Sequence, residues 1–247
     1  MPKKVLILLA EGFEEVEAIT PIDYLRRAGI EVTTARVGVK SDISNTHGEC
    51  QAVVKGSHNI PVVADSTLDA LLKEGKLDPS VWDGVVVPGG IPGADNLAAS
   101  GETGTFLKAM AAAEKWVFCI CAAPARVLSP LGLLAGKNFT CYPGEEGKVL
   151  APGSASAGAT WKQDRVVIDG KTITSRGAGT AAEFSCAIIS KLVSDAEAKK
   201  LAEKVLLGSV PGQCGNLVRF QPLRISGFFP GCFVTSVLLL SLSDQVF

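Results

Sequence analysis

Apolar positions in this chain fall in short unbroken runs separated by amphipathic stretches, a pattern that predicts strands alternating with helices. Val5 to Ala10 is apolar throughout, as a strand covered on both faces requires. Glu11-Gly12-Phe13 turns the chain. Glu14 to Ala28 then sets Ile19, Ile22 and Leu25 at helical spacing, and Gly29 stops the helix. Ile30 to Val37, rich in β-branched residues, is a second strand. One such β-α-β unit predicts a mostly parallel, doubly wound α/β sheet with helices on both faces.

The alternation continues. Gly38 to Glu49 is polar and turn-rich, and Gln51 to Val54 and Ile60 to Ala64 are short strands. Ser66 is placed to cap a helix over Leu68 to Lys73. Val85 to Val87 is a third buried strand, running into Pro88-Gly89-Gly90. Gly101 to Ala113 reads as a helix, Trp116 to Ile120 as a strand, and Ala125 to Leu131 as a helix. Val166 to Ile168 and Thr172 to Ser175 flank Asp169-Gly170 as a hairpin. Thr180 with Glu183, and Ser194 with Glu197, fit capping boxes for helices ending near Leu192 and Leu207.

This regularity lapses after Gly208. Between residues 209 and 247 only Arg219, Arg224 and Asp244 are charged, and Pro230-Gly231 breaks the apolar stretch from Phe228 to Leu242. The unbroken part is shorter than the roughly 18 residues of a membrane span. The expected division is an α/β domain over residues 1–208 and an extension over 209–247 outside the core. Contact of that apolar extension with a membrane is the alternative.

Composition narrows the function classes. A chain of 247 residues with 47% hydrophobic content and net charge −1 is ordinary globular material without the basic footprint of a nucleic-acid binder. Seven cysteines and only two histidines, His47 and His58, give no paired metal-ligand spacing and no even disulfide framework. That favours a reducing, cytoplasmic setting. The opening apolar run of six residues is too short for a secretory signal.

Candidate chemistry centres on Val117-Phe-Cys-Ile-Cys-Ala-Ala-Pro124. Cys121 falls where the strand meets the following helix, at the carboxyl edge of the sheet. A thiol at a helix amino-terminus is expected to have a lowered pKa and a reactive thiolate. Cys119, two residues earlier, reads as a small core residue. Ligands of doubly wound sheets bind beyond the carboxyl ends of the strands. That edge also receives Glu14, Glu15 and Glu17 after the first strand and Gly89-Gly90 after the third. Backbone N–H groups of Gly90 and Ala122 are candidate oxyanion donors, and a buried carboxyl beside the thiol is a candidate proton carrier.

Ala10-Glu-Gly-Phe-Glu-Glu-Val-Glu17, Leu25-Arg-Arg-Ala-Gly29, Val87-Pro-Gly-Gly90, Ile120-Cys-Ala-Ala-Pro124 and Thr174-Ser-Arg-Gly-Ala-Gly-Thr180 together resemble the ThiJ/PfpI superfamily, in its parkinsonism-associated protein deglycase branch. The resemblance covers about residues 3–208. It implies a flavodoxin-like sandwich, a homodimer and no cofactor or metal. Cys121 would be the oxidation-sensitive nucleophile, Glu17 its protonated carboxyl partner, Gly90 and Ala122 the oxyanion donors, and Arg27 a site-lining residue. The implied activities are glutathione-independent conversion of methylglyoxal to lactate and removal of early glycation adducts from protein side chains. The implied alternative is a non-enzymatic redox sensor or chaperone switched by oxidation of Cys121. Three positions depart from the family pattern. Tyr142 stands where many members carry histidine, and His58 where an arginine is common. Ala122 replaces the histidine of the protease-like branches. Truncation after Gly208 is expected to leave a folded, soluble dimer; size-exclusion chromatography and circular dichroism check this, and failure to fold would place the extension in the core.

Overall fold

The computed structural model of the chain describes residues 1–38, 42–44 and 50–208, with only the backbone of 42–44, 50 and 51. Expectations for residues 209–247 and for His47 lie outside the described residues. In chain order the elements are β1 (Lys4–Ala10), α1 (Glu15–Arg27), β2 (Glu31–Val37), β3 (Asp42–Ser44), β4 (Cys50–Lys55), β5 (Pro61–Ala64), β6 (Ser66–Thr67) and α2 (Leu68–Lys73). Then come β7 (Gly84–Val87), α3 (Ile91–Ala99), α4 (Gly101–Ala112), β8 (Trp116–Ile120), β9 (Asn138–Phe139), α5 (Glu146–Val149) and β10 (Thr160–Trp161). The last are β11 (Val166–Asp169), β12 (Thr172–Ser175), α6 (Ala181–Leu192) and α7 (Asp195–Lys204).

Seven strands form the central sheet in the order β11-β12-β8-β7-β1-β2-β6. Every neighbouring pair is parallel except the hairpin β11–β12. This is the doubly wound α/β arrangement that the alternating pattern predicts. The middle strands are apolar because helices flank them on both sides: Val5 to Leu9, Val85 to Val87 and Phe118 to Ile120 are fully buried. Beside the main sheet, β3-β4-β5 make a small antiparallel sheet. The β3 strand lies in a stretch whose polarity reads as turn.

Four local features differ from the expected pattern. Thr67, not Ser66, caps α2, its hydroxyl accepting the Ala70 N–H at 3.1 Å. Thr180 precedes α6 but its hydroxyl does not cap it; that hydroxyl instead accepts the Gly177 N–H at 3.1 Å and meets Ser175 Oγ at 2.6 Å. The segment after Cys121 is a single π-helical turn, Pro124–Leu128, rather than an α-helix reaching Leu131. Helix α3 was hidden by Pro92-Gly93. Proline is tolerated in a first helical turn, where its missing N–H has no partner to lose. Gly93 is required there, because a Cβ would sit 2.6 Å from the Phe13 backbone.

Phe118 occupies the centre of the sheet, fully buried and stacked on Trp116 with ring centroids 5.8 Å apart. Gly84 on the neighbouring strand leaves room for that ring. Phe118→Ala should lower the unfolding free energy by about 3–5 kcal/mol through lost burial and a residual cavity. Urea denaturation checks this, with a reduced midpoint and an unchanged slope as the expected result.

Candidate active site

Three sheet-edge turns build the site. After β8, Cys121 adopts φ 65°, a left-handed conformation that non-glycine residues seldom hold. Its backbone is fixed on both sides. The Cys121 N–H donates to the Ser175 carbonyl at 2.9 Å, and its own carbonyl accepts the Tyr142 N–H at 2.8 Å. After β7, Gly90 adopts φ 86°, and a side chain there would run into the Gly12 carbonyl and the Phe13–Glu14 backbone. At Gly89 a Cβ would fall 2.6 Å from both Cys121 Cβ and Glu17 Oε2. The bare backbone of this pair therefore lets the β7 turn touch both groups.

Glu17 reaches that junction from α1. The helix opens with Glu14 as its cap, whose carboxylate accepts the Glu17 N–H at 2.7 Å. The Glu17 side chain is 1% exposed. Its Oε2 accepts the Gly89 N–H at 2.9 Å, and the carboxyl also meets the Cys121 thiol and the Ala178 N–H. Burial pushes its pKa up; the thiol contact opposes this, the charge of Glu14 adds to it, and the net position is about 7. The carboxyl thus changes protonation in the neutral range, as a proton carrier must.

Cys121 does not show the lowered pKa expected of a helix amino-terminus. Burial pushes the thiol up, and the charge of Glu17 and its hydrogen bond to the sulfur push in the same direction. The single π turn that follows does not offset this. The N–H groups of Gly90 and Ala122 do bond to the sulfur and favour its anion. Thiol and carboxyl therefore act as one pair holding a proton between them. With the carboxylate formed, Glu17 can take the thiol proton as the sulfur attacks.

The loop after β12 closes the site and supplies a residue that the sequence reading passed over. A Cβ on Gly177 would lie 3.5 Å from Tyr142 Cδ2, 3.8 Å from Glu17 Oε1 and 4.0 Å from Cys121 Sγ. Its missing side chain leaves open the space on which all three converge. The only sequence signal was a glycine within the Ser-Arg-Gly-Ala-Gly motif.

Two expected site residues are engaged elsewhere. Arg27 pairs with Asp23 at 2.8 Å on the exposed face of α1, roughly 15 Å along the helix from Glu17 at 1.5 Å per residue. Within one chain the structure does not bring it to the sulfur. His58 gives its ring to Glu15 at 2.8 Å and its backbone N–H to the same carboxylate at 2.6 Å. Burial alone would raise Glu15, but these bonds and that of the Ile60 N–H outweigh it and hold the group at about 2. The bond to Glu15 raises the pKa of His58 in turn. Donor atoms of Glu14, Glu15 and His58 lie within 4.8 Å of one another, close enough for a metal ion. Protein partners already account for each: Glu14 caps α1, and Glu15 and His58 hold the 56–60 loop to that helix.

Comparison with known proteins shows the family and the fold. Residues 3–191 match the DJ-1/PfpI family. The chain belongs to that family. Protein DJ-1 homolog B of Arabidopsis thaliana is 36% identical over 98% of the chain but only 49% of its own length. The chain thus spans about half of that relative, and of homolog A, which matches over 48% of its length. The Parkinson disease protein 7 homolog of Danio rerio is 33% identical over 83% of the chain and 97% of its own length. Among solved structures, Drosophila melanogaster DJ-1beta superposes with a TM-score of 0.70 at 33% identity, covering 83% of this chain and 98% of its own. These folds are flavodoxin-like α/β sandwiches, as is this DJ-1/PfpI chain. No helix among its described residues is long and apolar enough to cross a membrane.

Of the four cysteines whose side chains are described, all free, Cys119 and Cys141 are fully buried and Cys186 is 3% exposed, against 9% for Cys121. Under limiting iodoacetamide Cys121 should label first of these four, its rate rising as pH passes about 7 where Glu17 ionises. Peptide mass mapping against pH checks this, and earlier labelling of Cys119, Cys141 or Cys186 would overturn the assignment of the nucleophile.

Proposed function

We propose that this DJ-1/PfpI protein is a cysteine-dependent, glutathione-independent glyoxalase or deglycase. It acts on methylglyoxal-type 2-oxoaldehydes and on the adducts they form with protein side chains. One observation carries the reading: a buried carboxyl poised near neutrality shares a proton with a thiol whose sulfur also receives two backbone N–H groups.

In the proposed route the Cys121 sulfur bonds to the aldehyde carbon of methylglyoxal, and the thiol proton passes through Glu17 to the former carbonyl oxygen. The N–H groups of Gly90 and Ala122, which hold the sulfur at rest, favour the negative charge that develops during this addition. Glu17 next removes the hydrogen from that carbon and returns a proton to the neighbouring carbon through an enediol. The product is a lactoyl thioester on Cys121. Water cleaves it to lactate and restores the thiol, so methylglyoxal plus water becomes lactate. An aminocarbinol adduct would exchange its nitrogen for the same sulfur and free the protein amine.

A second reading, a redox sensor, draws on the same surroundings. Amide donors and a protonated Glu17 around the sulfur would also hold sulfinate oxygens after oxidation by peroxide. A sensor, however, has no use for a group that moves protons between carbon atoms.

Glu17→Gln separates the two. It keeps the size and a hydrogen-bond donor but removes the titrating proton. Lactate formation from methylglyoxal without glutathione should fall about 10²-fold or more, while alkylation of Cys121 persists. Negligible turnover in the wild type would favour the sensor, and unchanged turnover in the variant would remove Glu17 from the route.

A further inference from the structure

Tyr142 borders the site, and its setting is that of a built surface. Its N–H donates to the Cys121 carbonyl at 2.8 Å and its carbonyl accepts the Glu145 N–H at 3.0 Å. Cys141 before it is fully buried. Glu145 is anchored in turn by Arg126 at 2.8 Å and Lys148 at 2.7 Å. The backbone beneath the ring is therefore pinned to the elbow that carries the sulfur. The ring is nonetheless half exposed, and its hydroxyl makes no hydrogen bond among the described residues. One ring edge, at Cδ2, borders the space left by Gly177, which Glu17 Oε1 and Cys121 Sγ also border.

A fixed backbone, an open aromatic surface and a free hydroxyl beside a nucleophile describe a contact made by the ring and not by its polar tip. We propose that Tyr142 is a specificity-determining residue, a platform that favours flat, aryl-bearing electrophiles at Cys121, with aryl-substituted 2-oxoaldehydes preferred over methylglyoxal. Offset or edge-on contact between two aromatic groups adds to the burial of their area. The methyl group of methylglyoxal is too small to use such a surface. The aldehyde preference rests on the function proposed above; the platform itself does not.

The test therefore uses reagents that need no turnover. Alkylation rates of Cys121 by N-phenyliodoacetamide and by iodoacetamide are measured in the wild type, Tyr142→Phe and Tyr142→Ala, with mass mapping of the modified peptide. The phenyl-over-plain rate ratio should fall about three- to tenfold in Tyr142→Ala, the scale of one aromatic contact, and stay within about twofold of the wild type in Tyr142→Phe. Because the ratio is read, a general loosening of the site that slows both reagents does not imitate the effect. An unchanged ratio in the alanine variant overturns the proposal. An equal loss in the phenylalanine variant also overturns it, by assigning the effect to the hydroxyl. The ratio of kcat/KM for phenylglyoxal to that for methylglyoxal should shift by the same factor. A shifted alkylation ratio with no turnover of either aldehyde would sink the glyoxalase reading and leave the platform standing.

Discussion

A carboxyl group taken almost completely out of water is the constraint around which this molecule is arranged. Glu17 is 1% exposed, and a buried carboxyl without partners would cost several kcal/mol. Its partners come from three separate stretches: Gly89 after β7, Cys121 after β8 and Ala178 after β12. Satisfying one side chain therefore fixes the first helix against three strand ends at once. The glycines at 89 and 177 follow from the same demand, because a side chain at either would occupy space beside the carboxyl and the thiol, while a side chain at Gly90 would meet the backbone from Gly12 to Glu14.

Much of the framework was legible in the sequence because burial on both faces leaves an unmistakable trace. Val5 to Ala10, Val85 to Val87 and Trp116 to Ile120 read as strands from apolar runs alone, and they are the centre of the sheet. Residues whose behaviour depends on distant neighbours were less legible. The pKa of Cys121 was misjudged because a strand-to-helix turn suggests a favourable dipole. The actual turn is a short π segment, and burial of the thiol, joined by the charge of a carboxylate 104 positions earlier in the chain, pushes its pKa up. Thr180 had the spacing of a cap, yet tertiary contacts with Ser175 and Gly177 claimed its hydroxyl. His58 carries no local signal of its partner Glu15, 43 positions earlier, whereas Arg27 has Asp23 one helical turn before it; both were assigned to the site by resemblance alone.

The candidate site has an interior layer and a rim. Glu17, Gly89, Gly90 and Cys121 form the interior junction, where any change in volume meets backbone. Ala122 is buried beside the sulfur, whereas Tyr142 and His58 lie at the rim, half or more exposed. Substitutions at the rim cost little folding energy, so residues there can change while the interior pair is retained.

Two glutamates in the first turns of α1 also give the fold opposing proton linkages. Glu15 is held at about 2, below the ordinary 4.5, so its contribution to stability is present above 4.5 and disappears as pH falls through 2. Glu17 is raised to about 7 from the same ordinary value, so its contribution is complete below 4.5 and is lost as pH climbs through 7. Taken together, these two groups favour the native state most near pH 4.5. At neutral pH, where the carboxyl is partly ionised, the chain forgoes part of the stability that a permanently neutral side chain would retain.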